Sequence, residues 1–208
     1  MKKKIALLGC LIFTMAANAQ VTWNVKGGAG MAVSITNANV DPKMKFVAKL
    51  GAGIETPLTP DLSLMPSLEV ALKGGKYDLK DYSVEKANEQ LSLTYLQIPV
   101  LLAYRVNLSG FTNMTIKAGP YLAYALSGKL KGESSHSSTS YDVDIFSEDG
   151  KNIIKKAKRF DWGLDAGIDF EFRRFVAGVE YELGFLSMAP NDVSIKNQAF
   201  YLTVGYKF

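Results

Sequence analysis

The stretch Phe160-Asp-Trp-Gly-Leu-Asp-Ala-Gly-Ile-Asp-Phe-Glu-Phe172 decides the fold. Phe160, Trp162, Leu164, Ala166, Ile168, Phe170 and Phe172 alternate with Asp161, Gly163, Asp165, Gly167, Asp169 and Glu171, which is the period-two pattern of a strand with one apolar and one acidic face. A face carrying four carboxylates cannot meet lipid, so this strand separates lipid from a polar lumen. Only Arg173-Arg174 separates it from a second such run, in which Phe175, Ala177, Val179, Tyr181, Leu183 and Phe185 face one way and Gly178, Glu180, Glu182 and Gly184 the other. Pairing Phe172 with Phe175 brings apolar opposite apolar along the whole hairpin and sets Asp165 opposite Glu182.

Outward from this hairpin the pattern repeats. In Asn197 to Phe208 the even positions Phe200, Leu202, Val204, Tyr206 and Phe208 are apolar and the odd ones small or polar, apart from Tyr201. Alternation gives eight strands near 22–33, 46–57, 62–76, 91–106, 112–127, 160–172, 175–188 and 198–208. Each reaches the roughly 9 to 11 residues that a tilted strand needs to cross a bilayer. Short connections near Leu58-Thr-Pro-Asp61, Asn107-Leu-Ser-Gly110 and Arg173-Arg174 alternate with longer ones near 34–45, 78–90, 128–159 and 189–197. That alternation predicts an all-β, closed, antiparallel up-and-down barrel with both termini periplasmic. Aromatics are expected in two interfacial belts, with Trp23, Tyr104, Phe111, Phe172, Phe175, Tyr206 and Phe208 at one end and Phe46, Tyr95, Tyr124, Phe160, Trp162, Phe185 and Phe200 at the other.

The first nineteen residues read as a cleaved signal peptide: Lys2-Lys3-Lys4, an apolar run from Ile5 to Ala16, and the small-x-small site Ala17-Asn18-Ala19. Residues 20–208 then form the barrel, with a long outer loop near 128–159. Loss of the leader leaves 21 basic against 20 acidic side chains, so the basic balance of the full chain gives no reason to expect nucleic-acid binding. Cys10 reads as a small residue of the leader rather than a lipid anchor, which leaves the mature chain without thiols.

The runs Tyr95-Leu-Gln-Ile-Pro-Val-Leu-Leu-Ala-Tyr104, Lys117-Ala-Gly-Pro-Tyr-Leu-Ala-Tyr124, Phe160 to Gly167 and Val204-Gly-Tyr-Lys-Phe208 resemble the eight-stranded outer-membrane β-barrel family of Bacteroidetes, the PorT-like or "porin family" proteins. The resemblance implies a cell-outer-membrane location and this architecture across the mature chain. It carries no shared catalytic residues, and one family name implies a link to protein secretion that these residues do not support by themselves.

Chemistry at particular side chains is weighed separately. His136 sits in the Ser-rich run Glu133 to Ser140 and offers the only imidazole, but no oxyanion donor accompanies it, so a solvated loop is expected rather than an enzyme. Gly27-Gly28-Ala29-Gly30 lacks the context of a phosphate loop and reads as room for bulky lumen side chains. Catalytic residues, metal ligands and cofactors are not expected. Lys26, Lys49, Glu55, Glu69, Lys73, Lys117 and Tyr121 are bulky or charged inward residues that should fill the lumen, so an open pore is not expected. Within it, Asp165, Asp169, Glu180 and Glu182 are expected to cluster around Lys117, with Lys26 reaching across.

On the surface, Lys151, Lys155, Lys156, Lys158 and Arg159 face the level of lipopolysaccharide phosphates. Tyr141 to Phe146 and Asn152 to Ala157 are expected to form a hairpin in the long loop. Expected partners are outer-membrane lipid and lipopolysaccharide, together with the barrel-assembly machinery acting through the terminal Phe208. The barrel is expected to be a monomer serving a structural or surface-interaction role, with a lipid-modifying enzyme or a secretion-associated barrel as the alternatives.

Overall fold

A computed structural model describes residues 21–36, 41–78, 87–134, 140–146, 158–187 and 195–208. The strands in chain order are β1 (Thr22–Thr36), β2 (Asp41–Lys43), β3 (Lys45–Pro57), β4 (Leu62–Asp78), β5 (Ala87–Ser109), β6 (Thr112–Ser134), β7 (Ser140–Asp144), β8 (Phe160–Phe172), β9 (Phe175–Gly184) and β10 (Ile195–Lys207). Eight of them close into an antiparallel barrel in the cyclic order β1-β3-β4-β5-β6-β8-β9-β10; the short β2 and β7 attach to β4 and β6. Closure lets every membrane strand hydrogen-bond on both sides, which hydrocarbon surroundings require.

The wall has the predicted two faces. Leu202 and Val204 are 61% and 67% exposed, while Tyr201 and Thr203 between them are buried. The β8–β9 hairpin has the predicted register, with Phe172 paired to Phe175 and Asp165 to Glu182. Its two-residue turn holds Arg173 at a φ of 56°, a left-handed conformation suited to the twist of a tight hairpin. Phe175, Tyr206 and Phe208 meet edge-on at 5.3 and 5.2 Å beside the ends of β9 and β10, forming part of the aromatic belt at the short-turn end.

Several expectations are corrected. Tyr95 is fully buried and faces inward, so it is not part of the belt at the end with the long connections. It shares the side of β5 that carries Leu91, Leu93 and Gln97, all buried, while Ile98, Val100, Leu102 and Tyr104 face lipid. β5 and β6 each run for 23 residues, well beyond the need of a bilayer, so residues 87–90 and 128–134 belong to strands and not to loops. β9 stops at Gly184 rather than near 188. β7 pairs with the extension of β6, Lys129 opposite Asp144 through Glu133 opposite Ser140; Asn152 to Ala157 lie outside the described residues.

The extensions change the interior at that end. Tyr77, Leu91, Leu93, Tyr95, Tyr121, Ala123, Ala125, Leu130 and Ile145 pack as an apolar core in the mouth, with Phe146 against it. Gly74, at a φ of 127°, takes a conformation that residues with a Cβ rarely adopt, and its neighbour Gly75 of β4 lies against Ser34 of β1, where a Cβ would stand 2.9 Å from the Ser34 nitrogen. The lumen is therefore polar in its middle and at the short-turn end, and apolar at the mouth.

Candidate functional site: the charged lumen

The inward faces of β1, β3, β4, β6, β8 and β9 deliver their charges to a common level. Lys26 of β1 lies 2.8 Å from Glu69 and 3.0 Å from Glu180. Lys49 of β3 contacts Glu180, Glu182 at 2.9 Å and Glu69 at 3.6 Å. Lys73 of β4 reaches Glu182 at 2.6 Å, and Lys117 of β6 reaches Asp169 and, at 2.5 Å, Glu180. Gln97 of β5 adds amide donors to Glu182 at 2.9 Å and Glu69 at 3.3 Å. Tyrosine rings wall the cations in, with Lys49 4.6 Å from the Tyr201 ring centre and Lys73 4.2 Å from that of Tyr121.

Toward the short turns lies a second layer. Lys207 bridges Glu55, at 2.6 Å, and Glu171. Arg105 also contacts Glu55 and lies 3.8 Å from Glu171, while the Thr115 hydroxyl donates to Glu171 at 3.0 Å. Below this layer a recess of about 430 Å³ opens at the end of the barrel, lined by residues including Glu55, Ser63, Arg105 and Phe208. Between the layers the structure leaves a cavity of about 30 Å³ beside Lys26, Lys117 and Asp169. That is room for about one water molecule.

The structure brings Lys117, Asp169 and Glu180 together and joins Glu182 to the same network through Lys49 and Lys73. It does not make Lys117 the single hub: four lysines share the acids. Asp165 stands apart. It is fully buried, faces Glu182 across the hairpin, and neither of its oxygens meets a hydrogen-bond donor among the described residues. Around this level Glu69, Asp161, Asp165, Asp169, Glu180 and Glu182 outnumber Lys26, Lys49, Lys73 and Lys117. Asp165→Asn, which removes a negative group from that excess while conserving shape, should therefore leave the urea unfolding midpoint unchanged or raised. A clear fall in the midpoint would show that the Asp165 charge is needed.

Lys151, Lys155, Lys156 and His136 lie outside the described residues. Lys158 is exposed. Arg159 turns back instead: its guanidinium donates to the carbonyls of Ala125 at 3.3 Å and Phe146 at 3.4 Å and stacks 4.4 Å from the Phe146 ring centre. The layer around Lys207 escaped the sequence reading, although its signal is present, since Lys207, Glu55 and Glu171 each occupy a polar-face position of an alternating strand.

Residues 16–189 match the model of a family described as an outer membrane protein beta-barrel domain. Among solved structures, the chain is similar to the outer membrane protein OprG from Pseudomonas aeruginosa, at 12% identity over 91% of this chain and 97% of that one, with a TM-score of 0.51. It is also similar to Neisserial surface protein A, NspA, at 13% identity over 89% and 97% of the two chains and a TM-score of 0.50. A further similarity is to Ail, the attachment invasion locus protein of Yersinia pestis, at 15% identity over 90% and 98%, with a TM-score of 0.45. At such identities the likeness is one of fold. No curated protein matches in sequence.

Proposed function

The chain belongs to the outer membrane protein beta-barrel domain family, and from that membership we propose that it is a closed barrel which displays an ordered platform at the cell surface, a structural or interaction protein and not a channel. The observation that carries this reading is the lumen, crossed by two layers of ion pairs and topped by a dry apolar core. Each obstruction is built mostly from buried side chains, which a solute would have to displace together. The extensions of β5 and β6, with β7 and β2 on flanking strands, supply the platform. Exposed loops and strands on a rigid scaffold are where recognition is placed.

In this reading the end with the long connections faces outward and both termini face the periplasm. Exposed Lys158 offers a cation to lipopolysaccharide phosphates. The four sequence runs quoted above support the finer PorT-like assignment. Purified protein in planar bilayers should give no stable, solute-passing conductance; reproducible large channels would overturn the closed reading. Labelling of a Lys158→Cys variant in intact cells by a membrane-impermeant maleimide tests the orientation independently, and the reading requires labelling from outside.

A further inference from the structure

On the outward side of β4, β5 and β6 the wall changes character at one level. Leu72, Leu96 and Leu126 are the last apolar residues on those faces, and beyond them come Lys76 on β4, Thr94, Ser92 and Gln90 on β5, and Ser127 and Lys129 on β6. The β3–β4 ladder is interrupted at the same level. It runs from Pro57 opposite Ser63 to Lys49 opposite Ala71, and resumes only on β2, at Lys43 opposite Lys76. Lys45–Ala48 and Leu72–Gly75 lie in the gap without ladder partners across it, and one freed acceptor, the Leu72 carbonyl, takes a hydrogen bond from the Tyr201 hydroxyl at 3.1 Å. Hydrocarbon cannot satisfy such a gap on a lipid-exposed wall, so this level belongs among the headgroups.

Three cations converge there on one hydroxyl. Lys45 of β3 donates to Ser92 Oγ at 2.5 Å and to the Leu91 carbonyl at 3.1 Å. Its stem crosses β4 at Gly74, where a Cβ would itself stand 2.2 Å from the Leu91 oxygen. Lys129 lies directly opposite Ser92 on β6, and Lys76 stands two residues beyond Gly74, the partner of Ser92 on β4, near enough to repel Lys45. Both acceptors of Lys45 are neutral, and among the described residues no carboxylate pairs with Lys45, Lys76 or Lys129. By register Asp144 and Asp142 of β7 lie opposite Lys129 and Lys131, and Asp41 lies opposite Asp78 one row farther out. Acids thus border the site along β7 and on its far side, and none stands between it and the apolar wall. Lys43 and Lys131 have contacts of their own and are not counted in it.

We propose that Lys45, Lys76 and Lys129, grouped around Ser92, hold a phosphate of lipopolysaccharide, whose acyl chains run down the wall over Phe46, Leu72 and Leu126. Three ammonium groups beside a hydroxyl match the several anionic oxygens of a phosphate and the charge-assisted hydrogen bonds it accepts. Phe46, Leu72 and Leu126 are 70%, 45% and 50% exposed immediately below. A soluble phosphate gains nothing from that apolar surface, whereas an amphiphile covers it with its chains. The inference rests on the orientation given under the proposed function, which puts this end in the outer leaflet. The two fail separately: a Lys158→Cys variant that resists labelling from outside sinks the orientation, whereas loss of saturable lipid A binding sinks the site with the orientation intact.

The test uses the whole barrel in phosphatidylcholine nanodiscs assembled with rising mole fractions of lipid A, read by amide NMR. Lipid A should give saturable shifts at the Lys45, Lys76, Ser92 and Lys129 amides. Lipid A stripped of its phosphates should give none, and phosphatidylglycerol should need at least a tenfold higher mole fraction. Lys45→Gln/Lys76→Gln should raise half-saturation by lipid A about tenfold or more, the loss of at least one charge-assisted contact. Lys196→Gln, which removes an exposed lysine of β10 outside the cluster, should leave half-saturation unchanged. Saturation indifferent to the double variant, equal shifts from dephosphorylated lipid A, or phosphatidylglycerol binding as tightly as lipid A would each overturn the proposal. If the double variant does not fold, Lys76→Gln/Lys129→Gln, which leaves the Lys45 hydrogen bonds in place, carries the same expectations.

Discussion

Lys49→Met should lower the unfolding free energy of the barrel in urea by about 3 to 5 kcal/mol, the usual cost of removing one partner from a buried ion-paired group. Lys49 is the lysine that contacts Glu69, Glu180 and Glu182 together, and its side chain is 1% exposed. Methionine keeps the unbranched stem and the volume, so the loss reports charge and not a cavity. Glu69 and Glu180 keep Lys26 and Glu182 keeps Lys73, but the carboxylates around them already outnumber the cations, and the variant worsens that excess. Burial limits screening, so the loss should persist in high salt, unlike that of an exposed pair. A Lys49→Met/Glu182→Gln double variant should recover part of the loss, since contacting residues in one network are not additive. A midpoint for Lys49→Met equal to the parent's would show that the lysine is idle.

The same network shows how far the sequence could be read. Strand faces were legible because the two sides of this wall demand opposite chemistry: residue by residue along β8, a carboxylate or glycine follows an apolar side chain. The β8–β9 register was legible because a tight turn leaves little freedom, and pairing Phe172 with Phe175 satisfies both faces at once. Those two facts are local. Closure followed from them together with the absence of any tolerable open edge in lipid.

Contacts across the lumen are of another kind. Lys26 and Glu180 are separated by 154 positions and Lys49 and Glu182 by 133, and their strands meet only through the stagger of the closed barrel. That stagger is the sum of every register around the wall, including the shift between Thr94 and Tyr95 in the β5–β6 ladder. Parity says that Lys26, Lys49 and Lys73 point inward, but it does not say at what height. Lys117 drew attention because its strand neighbours the acidic hairpin, whereas the lysines of β1, β3 and β4 reach the same acids across the barrel. Arg159 shows a second limit: a basic run beside the membrane edge suggests headgroup contact, and the run alone does not reveal that a stacked ring and two carbonyls also engage its guanidinium.

Tyr95→Ala should cost about 3 to 5 kcal/mol, the range for truncating a large buried aromatic ring, because Tyr95 belongs to the core and not to the lipid-facing belt. An aromatic at the edge of a transmembrane run invites the belt reading, but counting in twos from Gln97 places Tyr95 inside. There it packs among Leu91, Leu93, Tyr121 and Leu130 with no exposed surface, its hydroxyl accepts a hydrogen bond from Asn197 Nδ2 at 3.4 Å, and Lys73 lies 5.6 Å from its ring centre. Alanine would leave a void between the apolar mouth and the highest lysine of the network, so the loss combines transfer, cavity and weakened shielding of Lys73. Tyr124, on the outward face of β6 and 51% exposed, is the matched control, since its ring already lies outside the packed core. Tyr95→Phe should cost only about 1 kcal/mol, the net value of one hydrogen bond. Urea unfolding of the three variants under identical lipid conditions decides the matter: if Tyr95→Ala loses no more stability than Tyr124→Ala, the ring faces lipid after all and the dry core of the mouth does not close around it.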